Sequence, residues 1–68
     1  MNEETFNLSS RKYLKMVGIN SQREIEHAVA NEISAGRIKG TESFPATVRL
    51  HIAGLNIDVK FDGEIKLQ

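Results

Sequence analysis

The chain has 68 residues, 40% hydrophobic and 26% charged, with one proline and five glycines. That is the composition of a folding chain, and its length suits one domain over residues 1–68. Nine Lys and Arg balance nine Asp and Glu, and cysteine is absent. No global field therefore draws the chain to nucleic acid or an anionic membrane, and disulfides, thiol chemistry and Cys-type zinc sites are all excluded.

The apolar pattern changes period along the chain. It is helical up to about Ile38 and alternating after Phe44, which places a helical part at about 3–36 and a sheet part at about 46–68. The first helix is expected within Asn2–Val17, where Phe6, Ser10, Tyr13, Leu14 and Val17 share an arc of about 100°. Leu8 falls nearly opposite, so either the helix begins late, with Asn7 as N-cap, or Leu8 is exposed. Gly18 then occupies the place of a left-handed residue after a helix end, with Ile19 as the apolar residue that closes such a cap.

A second helix is expected from Ser21-Gln-Arg-Glu24, the spacing of a capping box. Ala28, with Ile25, Val29 and Ile33, would form its buried stripe. Gly36 ends it, and Ile38 supplies the following apolar contact. Two helices joined by Gly18–Asn20 would fold back on each other as a hairpin or corner.

Gly40–Pro45 reads as a loop. Beyond it Ala46, Val48, Leu50 and Ile52 alternate with polar residues, as do Leu55, Ile57, Val59 and Phe61, and then Ile65 and Leu67. The spacing predicts three half-buried strands separated by Ala53-Gly54 and Asp62-Gly63. A two-residue turn at Ala53-Gly54 pairs Ile52 with Leu55 and Val48 with Val59, keeping the apolar residues on one face. Ala53 would be strained there, which argues for a different or longer loop. At Asp62-Gly63 a bulged three-residue loop, with Gly63 left-handed, pairs Ile65 with Val59. The polar rows would then read Arg49–Asp58–Lys66, Thr47–Lys60–Glu64 and His51–Asn56–Gln68, with no like charges directly opposed. The expected fold is α+β: two N-terminal helices packed on one face of a three-stranded antiparallel meander.

Little in the sequence carries catalytic chemistry. His27 and His51 are the neutral-pH bases, and neither belongs to a recognised ligand spacing. The serines lie next to no base or oxyanion donor, and Ser21 is accounted for as a cap. Gly36-Arg-Ile-Lys-Gly40-Thr41 resembles a phosphate loop superficially. A Walker loop, however, follows a strand and carries Lys after its second glycine. No catalytic residue, metal ligand or cofactor site is therefore expected, and the protein is read as not an enzyme.

The basic residues are distributed less evenly. Arg11, Lys12, Lys15 and Arg23 occur between Thr5 and Arg23 with no acid among them, forming a local cationic patch near the expected helix turn. Helix macrodipoles alone favour bases at helix ends and acids such as Glu3, Glu4, Glu24 and Glu26 at helix starts. The alternatives are contact with nucleic acid or phosphate, or with an acidic protein. The turn Val17-Gly18-Ile19-Asn20-Ser21 also resembles that of a helix-turn-helix. Glu24, however, stands where the next buried residue belongs, and no third helix follows.

The run Phe6–Gly18, of the form FN-x-S-x-R-K-[FY]-L-K-x-V-G, is followed by SQREIE, AGRIKG and DGEIKL. With these segments nearly the whole chain resembles a family of small uncharacterised bacterial proteins of unknown function. The resemblance implies a soluble, stand-alone bacterial protein and assigns no catalytic residue.

No apolar run approaches the ~18–20 residues of a membrane span, and the opening MNEETFNLSS is unlike a signal peptide. A cytoplasmic location is expected. Without disulfide or metal, a domain this small is short of core, and a homodimer is a common answer. The expected function is protein–protein interaction as a homodimer. Nucleic-acid or phosphate binding through Arg11, Lys12, Lys15 and Arg23 is the alternative.

Overall fold

Asn2 begins the ordered structure. In the computed structural model, which describes all 68 residues, its side chain accepts a hydrogen bond from the Thr5 amide at 3.0 Å. Its carbonyl accepts from the Phe6 amide at 3.0 Å. These bonds satisfy amides that a helix start otherwise leaves open, and Glu3 and Glu4 in the first turn complement the dipole. The helix they start, α1, runs from Glu3 to Ser34 without interruption, 32 residues and about 48 Å. Ala35 caps it by donating to the Asn31 carbonyl at 3.0 Å. Gly36, with φ +74°, turns the chain out through a conformation that glycine adopts without penalty.

The expected pair of helices is therefore one helix. Gly18 lies inside it with ordinary helical backbone. Ending a helix there would leave up to four carbonyls and four amides to be satisfied elsewhere, whereas glycine inside a helix costs only about 1 kcal/mol relative to alanine. The continuous ladder is the cheaper solution. Ser21 and Glu24, spaced like a cap, sit in mid-helix, where Gln22 Nε2 donates to Glu26 Oε1 at 3.0 Å across one turn. Leu8 is 60% exposed, little more than Phe6 at 53% and Leu14 at 57% on the stripe, so exposure does not separate the two sides.

The second half is a single hairpin. Strand β1, Ser43–Ile52, pairs antiparallel with β2, Ile57–Lys66, in a two-stranded sheet. Ile52 faces Ile57, Leu50 faces Val59, Val48 faces Phe61 and Phe44 faces Ile65. The Leu67 amide extends the ladder to the Glu42 carbonyl at 3.0 Å. The connection is longer than two residues, as the strain expected at Ala53 argues. Ala53–Leu55 form a 3₁₀ turn and Asn56 closes it at φ 54° and ψ 36°. Asparagine is among the few residues besides glycine that enter this left-handed region readily.

The meander is corrected by the same ladder. Asp62-Gly63 makes no turn. It stays in β2, with Gly63 opposite Ala46 and Asp62 opposite Thr47. Ile57, Val59, Phe61, Gly63, Ile65 and Leu67 all occupy odd positions. The alternation needs no bulge to stay in phase if the strand simply continues. Continuing also pairs β1 along its whole length. The shifted register alters the polar face as well. Arg49 stands directly opposite Lys60, an opposition of like charges that the expected rows avoided. It is relieved by Arg49 to Asp58, diagonally across the ladder at 2.7 Å, and by Lys60 to Asp62, two places along the same strand at 4.0 Å.

Residues Met1–Ala35 and Gly36–Gln68 form two units. No side chain in either is buried.

Candidate interaction surfaces

The four expected contact residues all lie on α1. Arg11 and Lys15 are one turn apart. Lys12 and Arg23 are eleven residues apart, three turns or about 16.5 Å along the axis. With about 100° per residue, the four fall on the side of the helix away from Phe6, Tyr13 and Val17. The patch is thus a row along one rod and not a cluster around a helix turn. All four are exposed, and the ion pairs of the hairpin, Arg49–Asp58 and Lys60–Asp62, lie in the other unit. A shallow open groove lined by Glu4, Asn7, Leu8 and Arg11 runs along the first turns of the helix. Its acid and base are of opposite sign, so it favours neither charge.

The histidines do not converge with other groups. His27 is in the helix and His51 is on the polar face of the hairpin, opposite Asp58. No group of three or more His, Asp or Glu side chains is placed to hold a metal ion.

The segment resembling a phosphate loop instead wraps an anion belonging to the chain itself. The Glu42 carboxylate accepts from the backbone amides of Lys39 at 2.8 Å, Gly40 at 2.9 Å and Thr41 at 3.0 Å. Gly40 has φ +100°, a conformation that side-chain-bearing residues rarely adopt. The Lys39 amide above all, then those of Gly40, Glu42 itself and Thr41, holds the Glu42 carboxyl below its ordinary pKa, with desolvation opposing. Sequence reasoning passed over Glu42. Its signal was an acid directly after Gly40-Thr41 and just before an alternating run.

Both the helix and the hairpin expose large apolar side chains. On the helix Phe6 is 53%, Tyr13 53% and Leu14 57% exposed. On one face of the hairpin Val48 is 54%, Val59 43% and Phe61 56% exposed. Phe44 and Phe61, at the edges of the expected strands, both belong to this face and enlarge it. Single exposed apolar side chains are ordinary; here several lie together on each unit, with no buried side chain beside them. No helix of the chain is long and apolar enough to cross a membrane.

No curated protein and no solved structure matches the chain. A family of unknown function, DUF6494, matches residues 1–68, the whole chain. By that match the chain belongs to DUF6494.

Proposed function

We propose that this protein works in the cytoplasm without catalysing a reaction, by binding other protein surfaces, and that it does so as a homodimer. The observation that carries this reading is the absence of any buried side chain in either unit. Helices outside a packed context draw little stability from propensity alone, and an isolated two-stranded hairpin is marginal in water. Covering the apolar faces is what would hold both units folded, and a second copy of the chain is always present at the chain's own concentration. The free edges of β1 and β2 add hydrogen-bonding groups to the surface on offer, with Pro45 interrupting the first near its start.

The test is light scattering of the full chain across a dilution series, with circular dichroism at each concentration. A dimer whose helicity and melting temperature fall on dilution is expected. A monomer at tens of micromolar that unfolds cooperatively and independently of concentration overturns the reading.

A second reading is favoured by one observation: the correction from two helices to one puts Arg11, Lys12, Lys15 and Arg23 along one side of a single rod. A row of cations of this length suits the phosphates of a nucleic acid. It predicts binding that weakens steeply with salt and is lost on charge reversal at Lys12 and Lys15. Flat titrations with DNA and RNA at low salt remove it.

A further inference from the structure

Resting on the homodimer reading, we infer that two copies join edge to edge through β2, antiparallel about a twofold axis at Asp62, so that the two hairpins make one four-stranded sheet. The direction of the backbone groups carries the argument first. The Leu67 amide donates to the carbonyl of Glu42, the residue directly opposite it when the register is continued. Peptide groups alternate along a strand, so the odd-numbered residues of β2 bond inward to β1. Asp58, Lys60, Asp62, Glu64 and Lys66 therefore direct their amides and carbonyls to the free edge. On β1 the outward residues are Ser43, Pro45, Thr47, Arg49 and His51. Pro45 has no amide to give. The edge of β2 is the one whose donors are complete.

Charge makes the occupant a second copy and sets the register. The outward residues of β2 also carry its polar side chains, which run from Asp58 as acid, base, acid, acid, base. About an axis at Asp62, Asp58 stands opposite the partner's Lys66 and Lys60 opposite the partner's Glu64, and the twofold repeats both pairs. Asp62 meets its own copy on the axis, the one opposition of like charges, with Lys60 of its own strand 4.0 Å away. An axis one place earlier, at Phe61, sets Asp58 against the partner's Glu64. One place later, at Gly63, it sets Lys60 against the partner's Lys66 and Asp62 against the partner's Glu64. The apolar side agrees in size. Val59 lies beside the partner's Ile65, and Phe61 beside the partner's Gly63, a position with open space where a Cβ would stand. The outer edge of β1 offers no such match, since its outward residues include no acid. The β2 contact closes on itself, forms about ten backbone hydrogen bonds and supplies the further strands that an isolated hairpin lacks for stability.

The test uses the full chain. Thr47 and Asp62 face each other in the hairpin, share one side-chain hydrogen bond at 2.9 Å, and both turn their amides outward. Proline at either position costs the hairpin that same contact and no ladder bond, but only D62P blocks the dimer edge. Light scattering at tens of micromolar is expected to find D62P monomeric and T47P dimeric like the parent. Where a proline unfolds the hairpin, exchange of charge decides. K60E sets acid against acid in both symmetric pairs and is expected to raise the dimer Kd about tenfold. E64K does the same with bases, and K60E/E64K together are expected to return the Kd to the parent value. Hydrogen exchange in the parent dimer is expected to find the Lys60, Asp62 and Glu64 amides protected and those of Thr47, Arg49 and His51 open. A dimer in which those β2 amides exchange freely, or whose Kd K60E leaves unchanged or the double variant does not restore, overturns the edge pairing while leaving the homodimer standing. A parent chain that is monomeric overturns both.

Discussion

The helix and the hairpin stand without a core in different ways. In α1 every hydrogen bond closes over four residues, so the element is specified locally and runs on until Gly36 turns it out. In the hairpin, partners such as Phe44 and Ile65 are about twenty positions apart, and the ladder depends on a loop bringing them together. A local element ignores weak stop signals in its interior. A non-local element ignores a weak turn signal when pairing past it continues the ladder. Gly18 and Asp62-Gly63 were such signals, and both were overridden.

Substitutions can sharpen this contrast. The largest expected effect is at Gln22. As the first residue of a second helix it would accept proline, whereas inside α1 Gln22→Pro removes a hydrogen bond and clashes with the preceding turn, costing about 3 kcal/mol or more. Loss of most helical circular dichroism is expected, and retention would restore the two-helix reading. Next is Gly18→Ala. An added Cβ at Gly18 meets nothing within 4 Å, so the variant is expected to raise helix stability by about 1 kcal/mol. In a left-handed cap the same change would destabilise, and thermal melting distinguishes the signs.

On the hairpin side the effect is smaller. Gly63 lies in β2 with open space around its Cβ position. Gly63→Val is expected to stabilise the ladder by roughly 0.5 kcal/mol through strand propensity. A loss of stability would point back to a bulged turn. The smallest effect is local. The Glu42 carboxyl is held below its ordinary pKa by the Lys39, Gly40 and Thr41 amides. A depressed folded pKa stabilises at pH values above the unfolded one and is lost as pH falls through the folded value. The amide resonances of these three residues should therefore shift together below the usual carboxylate range, and Glu42→Gln should abolish that titration.

Much of the fold is legible in the residues themselves. The change from helical to alternating period places helix first and strands after, and Gly36 and the strain at Ala53 mark a helix end and a longer loop. The cationic residues were legible as a group but not as a row, because their arrangement depended on whether the chain turned at Gly18. Glu42 was not legible, since a carboxylate folded back on three amides depends on loop geometry that no period encodes.

By itself, then, the sequence determined periodicity: which half coils, which half extends, and which side chains share a face. Only the tertiary structure decided continuity, namely that one helix passes through Gly18 and one strand through Gly63. The reason is one of magnitude. A cap or turn residue biases the backbone by about 1 kcal/mol, whereas an interrupted ladder leaves several amides and carbonyls to be satisfied at once. The sum along the neighbours outweighs the single residue.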